Sequence, residues 1–188
     1  KPAARRLMQS AVKPTIEHLR KGEAKVAVDT LLDYGISPTQ RGVGQIRSTL
    51  DDLNSQIANK VAGSTAQIDK NTVLGYRGDV NRKFANQVSP TSDLSAISGV
   101  ADDFIGHPML SGQTMSVPMA QQLKQGTYKA LKGKYGEAGS AATEAQKALA
   151  RGLKTEIGKA VPDIVPLNAE EARLLKTLTV AERRALME

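Results

Sequence analysis

A chain of 188 residues has room for one domain or two small ones. It holds no Cys, which excludes disulfides and thiolate metal centres, and only two Phe, four Tyr and no Trp. Packing therefore falls to Leu, Ile, Val and Ala, which suit closely apposed helices better than an aromatic-walled ligand pocket. The net charge of +7 fits a solvated helical surface and equally a contact with nucleic acid or anionic membrane.

Apolar spacing is helical almost throughout, and alternation of the strand type is nearly absent. Pro2–Val12 reads as a short helix interrupted by Pro14. Thr15–Tyr34 carries Ile16, Leu19, Val26, Val28, Leu31 and Leu32, is split by Gly22, and stops at Gly35. Ser37-Pro38 opens the clearest helix, in which Val43, Ile46, Leu50, Leu53 and Ile57 recur at intervals of 3, 4, 3 and 4. That seam suits one helix of a bundle or a short coiled coil pairing with another chain. Asp69 is placed to cap a following helix weakened in its middle by Gly75 and Gly78.

Ser92 or Asp93 is the expected cap for a helix bearing Leu94, Ile97, Val100, Ala101 and Phe104. Met109–Val117 reads as a loop or a short extended piece. Pro118 fits the first turn of a helix running to about Tyr135, and Ser140 caps a long helix to Ala160. Together they predict a helical hairpin over about 118–160. Asn168 with Glu171 and Thr179 with Glu182 have capping-box spacing, so two short helices are expected after Pro166. The fold class is all-α: a bundle or elongated array of about seven to nine helices. The expected domains are an N-terminal helical region, 1–115, and the hairpin with two short C-terminal helices, 116–188. With Lys1 at one end and a running helical pattern at the other, the sequence reads as a piece of a longer chain.

Residues that could carry chemistry are few. His18 and His107 are far apart and lack ligand partners at helical spacing, so no metal or other cofactor is expected. Asp51-Asp52, Asp102-Asp103 and Glu170-Glu171 are adjacent pairs whose side chains diverge on a helix, as solvated faces do. Gly126 to Lys134 is no phosphate loop, since six residues separate its glycines and Tyr135 follows the lysine. The chain is therefore read as non-enzymatic, with no small-molecule substrate. Charge is uneven: Ser116–Val161 has 8 Lys/Arg against 3 Glu. Lys129, Lys132, Lys134, Lys147, Arg151 and Lys154, with Lys124 and the rings of Tyr128 and Tyr135 among them, form a candidate anion or nucleic-acid surface. A merely solvated basic face accounts for the same residues.

Three stretches carry a resemblance. They are VDTLLDYGISPTQRGVGQIRSTLDDLN (Val28–Asn54), AQQLKQGTYKALKGKYGEAGSAATEAQKALARGLKTEI (Ala120–Ile157) and LNAEEARLLKTLTVAERRAL (Leu167–Leu186). They resemble long helical proteins of tailed bacteriophages and prophages, of the virion-structural or DNA-ejection (internal head) type. The resemblance implies a virion component, made in the bacterial host cytoplasm, that sits in the capsid interior or tail. It also implies assembly into a homo-oligomer, or with other virion proteins, to pass the genome across the host envelope. Partners would then include DNA and the host membrane surface. The alternative is a helical module that binds DNA or anionic membrane. No uninterrupted apolar run reaches the roughly 20 residues of a membrane span, and no secretory signal is visible.

Overall fold

The computed structural model describes residues 2–134 and 138–186. Ten helical segments occur among the described residues: α1 Pro2–Val12, α2 Ile16–Arg20, α3 Glu23–Tyr34, α4 Gln40–Ala62, α5 Lys70–Gly75, α6 Gly78–Ala85, α7 Thr91–Ile105, α8 Val117–Ala130, α9 Ala141–Ala160 and α10 Ile164–Ala185. Two three-residue strands, β1 Gln67–Asp69 and β2 Thr114–Ser116, complete it. The five-residue α2 is little more than one turn, and the other nine helices match the all-α expectation.

The chain forms two compact units, and their boundaries differ from the expected 1–115 and 116–188. Unit 1 combines residues 1–59 with 163–188, and unit 2 is the continuous stretch 60–162. The pairing of α3 with α10 closes unit 1. Contact between segments so far apart in sequence leaves no mark in local periodicity, which is why the sequence places the boundary elsewhere.

In unit 1, α3 ends as its sequence requires. Gly35 adopts φ +64°, and the N–H groups of Gly35 and Ile36 return to Leu32 and Leu31. Buried Ile36 and Leu31 supply the apolar contact of that motif. The core joins Val12 of α1, Ala27, Val28 and Leu31 of α3, and Leu174, Val180, Ala181 and Ala185 of α10. Val43, Ile46, Leu50 and Leu53 of α4 belong to the same core. Gly42 is forced by sterics: a Cβ there would stand 1.8 Å from the Ser37 carbonyl oxygen and 2.9 Å from Ile36 Cγ2. Arg184 and Arg183 of α10 donate to the carbonyls of Ala11 and Lys13, closing the end of α1 with cations where the helix dipole favours them.

The two short C-terminal helices are one helix, α10. Thr179 does not cap; its hydroxyl donates to the Leu175 carbonyl 3.2 Å away, four residues back. Thr177 does the same to Arg173, and the buried series Leu174, Thr177, Val180, Ala181, Ala185 runs on without a break. Pro166 falls in the first turn of α10, where its missing N–H costs nothing.

In unit 2 the expected helix after Asp69 divides at its glycines into α5 and α6. Asp69 caps α5 by accepting from the Thr72 N–H at 2.9 Å. The next helix starts at Thr91, one or two residues before the expected cap, and no side chain caps it. The extended piece within Met109–Val117 is β2, antiparallel to β1 with Ile68 opposite Met115. Its last residue, Ser116, accepts from the Met119 N–H and starts α8. The hairpin of α8 and α9 is present, with Ser140 accepting from the Thr143 N–H at the head of α9. α8 ends at Ala130, earlier than expected, and Tyr135 lies outside the described residues. α9 is the centre of this unit, since α5, α6, α7, α8 and β1 all pack on it. Ala141, Ala145 and Ala148 let α6 and α7 approach, and Gly152 admits the Tyr76 ring, whose Cδ2 would lie 2.9 Å from a Cβ.

Candidate functional site

The basic face of the hairpin survives only in part. Lys129, Lys132 and Lys134, at and after the C-terminal end of α8, are exposed, as are Arg151 and Lys154 on α9. Lys147 is not part of that surface: it is 3% exposed, and its Nζ donates to Glu144 Oε1 at 2.9 Å. The reason is its neighbourhood, because Ala145, Ala148, Leu149 and Ala150 bury α9 over most of its circumference. It lies on a helix buried on most of its sides, and its charge is met by Glu144 one turn back. Lys124 of α8 is buried as well.

Glu144 accepts from Lys147 and also from the Gly139 N–H at 2.9 Å. The Lys147 hydrogen bond, opposed by burial and helped by Gly139, holds its carboxyl below the ordinary glutamate value. Tyr128, expected as a stacking ring, is half-buried. Burial pushes its phenol up, and the Arg151 charge partly opposes that. Five exposed cations therefore remain of the six expected, without a freely exposed ring from Tyr128. Lys129, Lys132 and Lys134 also sit where cations complement a helix C-terminus, so structural and anion-binding roles overlap there.

The seam on α4 is spent within its own chain. Val43, Ile46, Leu50, Leu53 and Ile57 are all buried, four of them in the core of unit 1. They form a helix-pairing stripe, as their spacing indicates, but it is not available to a second chain. Unit 1 leaves other apolar side chains outside, among them Leu7 on α1 and Ile16 on α2, 73% and 71% exposed, with Leu19, Val165, Leu175 and Leu186.

Among the described residues no group of three or more His, Asp or Glu is placed to hold a metal. His107 lies beyond α7, where its Nδ1 accepts from the Met109 N–H at 3.2 Å. His18 Nε2 is 4.0 Å from Glu23. Asp51, Asp52, Asp102 and Asp103 are exposed. Glu170 differs from them: it accepts from the Tyr34 hydroxyl at 2.7 Å and pairs with Arg173, which also bonds Asp33 and Thr30. This α3–α10 network was not visible in the sequence, since nothing local ties residues 30–34 to 170–173. Burial, then the Glu170 hydrogen bond and charge, raise the Tyr34 phenol above its ordinary value.

Unit 2 also contains a cleft that composition argued against. It encloses about 390 Å³ among α7, α8 and α9, with His107 at one end. Its floor is Phe104, Leu131, Leu149 and Leu153, all buried, and Phe104 is the one phenyl ring among its described lining residues. Asp103, Gln122 and Gln146 stand exposed around it. The sequence signal that pointed here was slight: Gly126 and Ala130, small residues one turn apart on α8, line the cleft.

Among the described residues no helix is long and apolar enough to cross a membrane. No protein-family model matches the chain, and neither a curated protein nor a solved structure matches it significantly.

Proposed function

We propose that this chain is a non-enzymatic structural protein of a tailed-phage virion. In this reading it is an ejection or internal head protein that assembles into an oligomer and helps deliver the genome across the host envelope. The resemblance of its helical stretches to such proteins supports the virion setting. The observation that carries the assembly is the apolar surface of unit 1: Leu7, Ile16 and Leu19 stay outside a core that had room for Val12 and Met8 from the same segment. Large aliphatic side chains left in water are stabilised by a partner that covers them, at about 25 cal/mol per Å². With the α4 seam used internally, these residues replace it as the expected contact.

Sedimentation of the purified chain over a concentration series tests the assembly, alongside a search for its peptides in purified particles from the source prophage or phage. Self-association weakened by Leu7→Ser with Ile16→Ser, together with peptides in the particles, is the expected result. A monomer at every concentration and particles free of the chain would defeat the proposal.

The exposed cations Lys129, Lys132, Lys134, Arg151 and Lys154 favour a second reading, a module that binds DNA or an anionic membrane surface. It requires DNA affinity that falls with salt at a log–log slope of about −0.9 per neutralised phosphate. Replacing Lys129, Lys132, Arg151 and Lys154 by Gln should flatten that slope. Affinity indifferent to salt removes DNA from this reading.

A further inference from the structure

The cleft among α7, α8 and α9 carries an inference that does not rest on the virion reading. Its volume of about 390 Å³ falls in the range of small-ligand sites, roughly 300–1,000 Å³. Its floor is aliphatic apart from Phe104, and its polar groups stand at the rim. The one carboxylate among the described lining residues is that of Asp103, and neither Lys nor Arg is among them. The remaining polar groups are amides, a hydroxyl and an imidazole. Gln122 and Gln146 supply amides, and His107, whose Nδ1 already accepts from Met109, keeps its Nε2–H as the ring donor. Thr127 has committed its hydroxyl proton to the Leu123 carbonyl at 2.7 Å, so toward a ligand its oxygen can only accept.

Gly126 is the position at which the cleft can be filled. It lies inside α8, where glycine costs about 1 kcal/mol against alanine. Some glycines of the chain are held by close contacts, Gly42 by Ser37 and Gly152 by Tyr76, while Gly44, Gly75 and Gly99 are not. A Cβ on Gly126 would meet nothing within 4 Å. Gly126 is therefore open toward the cleft it lines, so a larger side chain there would enter that space.

We propose that this cleft binds a small amphiphile: an aliphatic chain over Leu131, Leu149 and Leu153, with a cationic head such as a primary ammonium paired to Asp103. An anionic head is disfavoured, because the Asp103 carboxylate repels it and neither Lys nor Arg is among the described lining residues to receive it.

The test uses the whole chain and displacement of the fluorescent apolar probe N-phenyl-1-naphthylamine. Competitors are dodecylammonium, dodecanol and dodecanoate, each below its aggregation concentration. Dodecylammonium is expected to displace the probe saturably. An exposed ion pair contributes a factor of up to about fivefold, so dodecylammonium should exceed dodecanol by about that factor, with dodecanoate weakest. Asp103→Asn should erase the difference between dodecylammonium and dodecanol. Gly126→Leu should fill the cleft and weaken displacement by about tenfold or more, with unchanged helical circular dichroism. Should Gly126→Leu fold poorly, Gly126→Ala, which helix propensity favours, decides by a smaller loss of affinity with a melting point no lower than that of the parent. Three results overturn the proposal: no saturable displacement, dodecanoate binding as well as dodecylammonium, or full affinity in the filled variant. A dimer in sedimentation that Gly126→Leu dissociates would also overturn it, by assigning the cleft to a second copy.

Discussion

Unit 1 and unit 2 are both helical, yet one core cluster in each is filled in opposite ways. In unit 1 four helices meet through branched side chains, with Leu31, Ile46, Leu174 and Val180 fully buried. In the corresponding cluster of unit 2, α9 presents Ala141, Ala145 and Ala148, and the bulk comes from Val80 and Ile97 opposite. Branched side chains fill space between more widely spaced rods, whereas alanines bring backbones together so that neighbours reach over them. The first kind of interior is vulnerable to removal of atoms and the second to their addition.

Gly42→Ala should be the most damaging single change, because it places a methyl 1.8 Å from a backbone oxygen in unit 1. A loss above about 4 kcal/mol is expected from urea unfolding. A loss below 1 kcal/mol would mean that the turn at 36–39 shifts freely. Leu174→Ala, at a fully buried position, should cost about 2–5 kcal/mol through the cavity it opens. Hydrogen exchange followed separately over 1–59 with 163–188 and over 60–162 should show the loss in the first set.

Ala148→Leu tests the other half of the comparison. It should cost about 1–3 kcal/mol by overpacking, with the faster exchange over 60–162. If Ala148→Leu were neutral and Leu174→Ala mild, the contrast between the two interiors would collapse.

The smallest expected effect is electrostatic. The folded pKa of Glu144 is depressed, so the stability it gives is present above the ordinary glutamate value of 4.5 and is lost as pH falls through the depressed value. Asp29, where the Arg5 hydrogen bond is the largest cause and lowers the carboxyl against burial, gives unit 1 a dependence of the same sign. Glu144 should matter more, since its partner Lys147 is buried, whereas Arg5 and Lys25, the partners of Asp29, are exposed. Urea midpoints at pH 6 and pH 3.5 should fall less for Glu144→Gln than for the parent, and Asp29→Asn should change the difference less.

Much of the fold was legible because its rules are local. Gly35 and Ser140 marked helix ends through backbone conformation and capping, and the 3–4 spacing from Val43 to Ile57 marked a buried face correctly. Two kinds of error remain. Thr179 satisfied a capping pattern that its hydroxyl ignores, because the same hydroxyl bonds equally well to the carbonyl four residues back. Lys147 looked like surface because lysine almost always is, and only the burial of α9 on most of its sides reveals otherwise. The candidate site was legible in its charges at Lys129, Lys132, Lys134, Arg151 and Lys154. The cleft was not, since it depends on how three helices diverge.

The discontinuity of unit 1 has a kinetic consequence. During synthesis, residues 60–162 are complete before 163–188 exist, so unit 2 has all its parts while unit 1 still lacks α10. Until α10 arrives, Leu31 and Val43 have no Leu174 or Val180 to pack against, and the nascent chain carries an oily, unfinished half. A ribosome pause shortly after codon 162 would prolong that interval, during which a chaperone that covers aliphatic surface would find its client here.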